Sequence, residues 1–114
     1  MINYETFKQV ELKVAKILSA QRVEGSEKLL KLEVDLGFDP LTGLGQVKQI
    51  IAGVGEKYQP EDLVGKNIIV VSNLESRKLM GLESQGMLLA ASNENEGPIL
   101  LTVMDDISPG SGVN

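Results

Sequence analysis

Hydrophobic and polar positions alternate most strictly over residues 30–36. Leu30, Leu32, Val34 and Leu36 fall on one side there, and Lys31, Glu33 and Asp35 on the other. A period of two is the mark of a strand with one buried face. Residues 10–14, VELKV, repeat it, with Val10, Leu12 and Val14 set against Glu11 and Lys13. The alternation slips around Ala15 while Ile17 and Leu18 carry on, which predicts a bulge or sharp bend. A third strand is predicted over Lys48–Val54, KQIIAGV, ending at Gly55. The mostly apolar NIIVVSN, Asn67–Asn73, predicts a fourth strand buried on both faces. GMLLAAS, Gly86–Ser92, predicts a fifth, and Ile99–Met104 a short sixth behind the turn NENEGP.

The breaks between these runs are equally readable. Gly25-Ser26 marks the turn between the first two strands, and FDPLTGLGQ, Phe38–Gln46, is a loop by its Pro and two Gly. Residues 3–9 suit a short helical turn with Asn3 as its cap. Pro60 suits a first helical position, followed by Glu61 and Asp62 in the first turn and Gly65 as the stop. The predicted fold is all-β: an OB-fold, a five-stranded Greek-key barrel with one short helix between strands 3 and 4 and N- and C-terminal additions. A plain β-sandwich is the runner-up, disfavoured because so few strands would leave two sheets poorly covered.

Length and composition narrow the function. The 114 residues suffice for one domain, 1–114, with a single core. No apolar run approaches the roughly 20 residues of a membrane span. The N-terminus MINYETFKQV is not a signal peptide, so a cytoplasmic protein with no membrane partner is expected. The chain has no Cys and no His, which removes disulfides, Cys/His zinc sites and imidazole-based triads. The adjacent carboxylates Glu61-Asp62 and Asp105-Asp106 read as solvated turns. Gly53 and Gly55 in AGVGEKY lack the third glycine and βαβ setting of a dinucleotide site. No enzyme, catalytic residue, cofactor or metal is expected.

The net charge of −5 argues at first against a nucleic-acid partner. Its distribution weakens that argument. Residues 92–114 carry Glu94, Glu96, Asp105 and Asp106 with no base, whereas residues 1–91 carry all 11 bases against 12 acids. Lys28, Lys31, Lys48, Arg77 and Lys78 fall on the strands and loops that form the ligand groove of an OB barrel. The alternative is that they are solvated charges balancing Glu27, Glu33, Glu75 and Glu83. The four aromatic residues, Tyr4, Phe7, Phe38 and Tyr58, are too few for a base-stacking platform. Tyr4 and Phe7 are expected to anchor the N-terminal turn, and Tyr58 to pack beside the short helix. A folded RNA read by shape and backbone asks less of aromatics.

VELKVAKILSA, EKLLKLEVDLG, QIIAGVGEKYQPEDLVGKNIIVVSNL, RKLMGLESQGMLLAA and the closing PGSGV together resemble the tRNA-binding OB-domain family. That family includes the C-terminal domain of methionyl-tRNA synthetases and free-standing dimeric tRNA-binding proteins. The most specific part is NL-x₂-RK-x₂-G-x-ES-x-GM-x-LAA following Y-x-PE-x-L-x-GK. The resemblance implies a non-catalytic module that binds tRNA by shape and backbone and raises the tRNA affinity of an aminoacyl-tRNA synthetase, the methionyl type above all. It also implies a homodimer, with a synthetase catalytic domain as partner in cis or in trans. Carried over by position, the RNA-binding set is Asn73, Arg77, Lys78, Ser84, Gln85, Gly86 and Met87, flanked by Lys28 and Lys31. The resemblance leaves Met87 open between RNA contact and core packing. RVEGSEKLL and Glu75-Ser76 depart from the family's usual residues, which bears on affinity and not on the fold.

Two other functions fit the same fold. One is a dimeric export-related chaperone that binds peptides, a branch whose pattern lacks the GMLLAA-type ending. The other is a domain that only dimerises a synthetase.

Overall fold

The computed structural model describes residues 1–114. The chain opens with α1 (Tyr4–Lys8), capped by the Asn3 side chain, which accepts from the Thr6 amide at 2.9 Å. None of its residues is buried, and Tyr4 and Phe7 border a surface depression with Leu12 and Val113. β1 (Leu12–Arg22) and β2 (Leu30–Phe38) follow, then β3 (Gly45–Ala52). Leu30, Leu32, Val34 and Leu36 are all buried, as the alternation requires.

The bend in β1 lies further along than expected. Val14 and Ala15 are both buried, and the register shifts between Ile17 and Ser19. The reason is a change of partner. Residues 12–16 pair with β4 (Asn67–Val71), and residues 16–22 pair with β2. One strand therefore serves two walls of a curled sheet and must bend where it passes from one to the other.

Between β3 and β4 sits α2 (Pro60–Leu63), whose Leu63 joins the core cluster. The Tyr58 hydroxyl accepts from the Leu100 amide at 3.2 Å, and its ring packs against the same core. Ile68 to Val71 are buried without a break, which satisfies the expectation of a strand covered on both faces.

After β4 come β5 (Arg77–Leu79), β6 (Leu82–Ser84), β7 (Met87–Leu88), β8 (Ala90–Ala91), β9 (Ile99–Leu100) and β10 (Gly112–Val113). The expected fifth strand is therefore two pieces. β7 pairs with β4, and Leu89 donates its amide to Ile69. β8 then leaves to pair with β9, as the Leu101 amide turns to the Leu89 carbonyl. The sixth strand is correspondingly short, and Thr102 instead donates its hydroxyl to the Asn67 carbonyl at 2.6 Å.

The main sheet runs β3-β2-β1-β4-β7, with β10 added beside β1. This curled antiparallel sheet, nearly closed and carrying a short helix between β3 and β4, is an OB-fold. The C-terminus is locked to it by two glycines in the left-handed region, Gly37 and Gly110. A Cβ on Gly37 would lie 2.5 Å from the Pro109 carbonyl oxygen, and one on Gly110 would collide with that of Leu36. Only bare backbones can cross there.

Candidate nucleic-acid interface

Arg77 and Lys78 stand on a strand and not in a loop. β5 and β6 form a hairpin in the register Arg77–Ser84, Lys78–Glu83 and Leu79–Leu82. Its two-residue turn is Met80-Gly81, with φ of 50° and 79°. Positive φ at both positions is the signature of a type I′ turn, whose twist matches the flanking strands.

This hairpin is not laddered into the main sheet. Side chains hold it against β3. The Ile51 amide donates to Ser84 Oγ at 3.0 Å, and the Gln49 amide donates to Gln85 Oε1 at 2.8 Å. In return the Gln85 amide donates to the Gln49 carbonyl, and Gln49 Nε2 donates to the Glu83 carbonyl, each at 2.8 Å. Ser84 is 3% exposed and also donates its hydroxyl to the Gly86 carbonyl. The open side of the barrel, where β3 would present free amides, is thus satisfied by hydroxyl and carboxamide groups.

Beside the seam lies an open groove of about 610 Å³. Its floor is Ile51 to Val54, Gly86 to Leu88 form a wall, and Ala90 and Pro98 close the far side. Arg77 and Glu75 border it with Leu74. Gly86 fits where a Cβ would meet the Val71 carbonyl oxygen at 3.1 Å. Met87 is exposed on the groove wall and does not pack in the core.

The structure brings Arg77, Ser84, Gly86 and Met87 together in that groove, with the Lys28 stem against Gly53 of its floor. Lys31 borders a separate depression under the hairpin, with Met80 and Leu82. Lys78 is exposed on the hairpin itself, opposite Glu83. Gln85 lies in the seam. Asn73 lies elsewhere, its side chain accepting from the Glu11 amide at 2.9 Å and donating to the Gln9 carbonyl at 2.8 Å. Of the other basic groups, Lys48 donates to the Ser72 carbonyl at 2.9 Å. Arg22 donates to the Gly55 carbonyl and to Gln59 Oε1, each at 3.0 Å.

The groove cations make no direct ion pair. The one ion pair in the protein is Lys13 Nζ with Glu11 Oε1, at 3.1 Å. Lys28, Lys31, Arg77 and Lys78 form no ion pair, with Glu83 opposite Lys78 and Glu75 bordering the groove beside Arg77. The Ser72 hydroxyl, 2.6 Å from Glu11 Oε1, and then Lys13 hold the Glu11 carboxyl below its ordinary value.

Sequence reasoning missed the groove floor, because Ile51 to Val54 read as core strand. It also missed Leu74, Glu75 and Pro98. Leu74 and Glu75 adjoin residues already singled out, and proximity to Arg77 was the available signal. Pro98 reaches the groove only through the tertiary fold. No helix is long and apolar enough to cross a membrane.

A family model described as "Putative tRNA binding domain" matches residues 12–112. The chain is 50% identical over 113 residues to a methionine–tRNA ligase of Caldanaerobacter subterraneus, covering 99% of this chain and 16% of the ligase. It therefore spans about a sixth of the length of that relative. A MetRS related protein from Pyrococcus horikoshii superposes with a TM-score of 0.87 at 32% identity, covering 99% of this chain and 97% of that one. A chaperone CsaA from Bacillus anthracis superposes with a TM-score of 0.86 at 27% identity, covering 100% and 99%.

Proposed function

The chain belongs to the tRNA-binding OB-domain family, and from that premise we propose that it is a single module, residues 1–114, that binds tRNA through the face carrying the β5–β6 hairpin. It is a non-catalytic tRNA-binding module matching part of methionyl-tRNA synthetases, and in our reading it raises such an enzyme's affinity for tRNA in cis or in trans. One observation carries the assignment of the face. Arg77 and Lys78 sit exposed on a hairpin pinned to the barrel, Arg77 borders a groove, and neither is held in an ion pair. Arg77, Lys78, Lys28 and Lys31 meet phosphates, which fix register without reading sequence. Asn73, Ser84 and Gln85 belong to the RNA-binding set that the family resemblance implies. The Ser84 and Gln85 side chains are bonded to β3 and support this surface from beneath, whereas Asn73 is bonded to the N-terminal segment away from it.

The same reading includes a cytoplasmic homodimer. α1 buries no residue, and Tyr4, Phe7 and Val10 stand exposed at the N-terminal end. A second apolar surface over that end would cover them.

The experiment is a gel shift with total tRNA at several salt concentrations. With three to five phosphate contacts, log K falls against log salt with a slope of roughly −2 to −4. The double change R77E/K78E abolishes the shift and leaves the melting temperature in place. A flat salt response, or an unchanged shift in the double variant, refutes the reading.

The likeness to the CsaA chaperone favours one alternative, since the groove floor Ile51 to Val54 is apolar enough to take a peptide. Peptide-array binding that survives R77E/K78E, without retention of tRNA, would establish it instead.

A further inference from the structure

We infer that Gln49 is a positioning residue for RNA binding: its carboxamide fixes the tilt of the outer β5–β6 hairpin and hence the place of Lys78, which stands opposite the residue it bonds. The inference rests on the reading of Lys78 as a phosphate contact.

The connections that hold the hairpin are few and clustered at its base. Ser84 Oγ takes the Ile51 amide, and the Gln85 main chain and side chain bracket Gln49. Beyond these, towards the turn, one polar bond reaches the hairpin from the barrel, from Gln49 Nε2 to the Glu83 carbonyl at 2.8 Å. Glu83 stands directly opposite Lys78, and Ser84 opposite Arg77. The bond therefore acts at the cationic rung. Further out no polar bond from the barrel reaches the tip, where Met80 and Leu82 border a depression with Val23 and Lys31.

A two-stranded hairpin has little stability of its own. Its orientation must come from what it is tied to. Removing the carboxamide leaves the backbone bonds at residues 49 and 85 in place, so the barrel stays closed while the outer hairpin gains freedom to tilt. A cation on such a hairpin spends less time at the distance a phosphate requires, and it contributes less to counterion release.

The test uses the full chain with Gln49→Met, which is nearly isosteric but lacks donor and acceptor, and with Lys78→Ala and the double variant. Gln49→Asn is the second variant. It keeps an amide on β3 but falls one methylene short of Glu83. Binding of total tRNA is followed by fluorescence anisotropy across a salt series, with melting temperature beside it.

Q49M and Q49N are expected to weaken binding about 3- to 10-fold at low salt, on the scale of one lost contact, and to make the log–log salt slope shallower by about 0.7–0.9. Q49M/K78A binds no more than about twofold weaker than K78A, because both changes remove the same contact. Native affinity in both Gln49 variants, an unchanged slope, or a double variant equal to the product of the singles overturns the inference. If K78A itself binds like the native chain, the reading of Lys78 as a phosphate contact falls with it. If K78A is weakened and Q49M and Q49N are not, only the role of Gln49 falls.

Discussion

Arg77 and Ser84 occupy directly opposed positions across the β5–β6 hairpin and border the same groove. Opposed residues in an antiparallel pair project to the same side of it. Ser84 turns its hydroxyl down to the Ile51 amide, while Arg77 is exposed. One rung thus supplies both the attachment of the hairpin and the charge it presents.

That arrangement predicts an asymmetric outcome for substitution. Ser84→Ala leaves the Ile51 amide without an acceptor in a buried setting, and the cost is about 1–3 kcal/mol. Arg77→Ala, at an exposed position with no ion-pair partner, is expected to change stability by less than about 0.5 kcal/mol. Urea unfolding of both variants, at equal slope, measures the difference. Equal stabilities for the two would show that the seam is held by something other than Ser84.

The strands that form the barrel walls were legible because their environment is uniform along their length. β2 alternates because one face is buried throughout, and β4 is continuously apolar because both faces are. The cap at Asn3 and the proline start of α2 were legible because they involve residues within one turn. The hairpin was not. Type I′ turns announce themselves by Asn-Gly or Asp-Gly, and here Met80 takes the first left-handed position. The seam was still less accessible, since its side-chain bonds join residues 33 to 36 positions apart. Ser84 and Gln85 were singled out for RNA, and nothing local indicated that each also completes the edge of β3. The bend in β1 was placed too early because apolar spacing does not reveal a change of pairing partner.

The Asn73 side chain extends the β1–β4 ladder beyond its last backbone bond. Ser72 donates its amide to Glu11, and Asn73 then provides an acceptor for the Glu11 amide and a donor for the Gln9 carbonyl. The site is exposed, so water can replace what is lost. Asn73→Ala is expected to cost about 1 kcal/mol, less than the loss at Ser84. Hydrogen exchange gives the sharper measurement. The Glu11 amide loses protection in Asn73→Ala and retains it in Asn73→Asp, which keeps the acceptor and forfeits only the donor. Equal protection in both variants would remove Asn73 as the clasp of the N-terminal segment.

The pH dependence near the same strand end follows from Glu11. Its carboxyl accepts from the Ser72 hydroxyl at 2.6 Å and pairs with Lys13 at 3.1 Å, and these hold its pKa below the ordinary 4.5. A carboxyl whose folded pKa is depressed binds protons less readily in the native state than in the unfolded chain. The stabilisation is therefore fully present above about 4.5 and is lost as pH falls through the lower folded value. Glu11 is about half exposed, at 49% for its side chain, so solvent screens the pair and the effect is modest. Glu11→Gln is expected to lower the melting temperature at pH 7 by a small amount, and the difference is expected to shrink towards pH 2 as the native carboxyl takes up its proton. The Ser72 hydroxyl is the largest single cause of the lowered pKa, so added salt reduces the difference at pH 7 only in part. Melting curves of the two proteins at both pH values and two salt concentrations decide it, and a difference that persists at pH 2 would assign the effect to packing and not to charge.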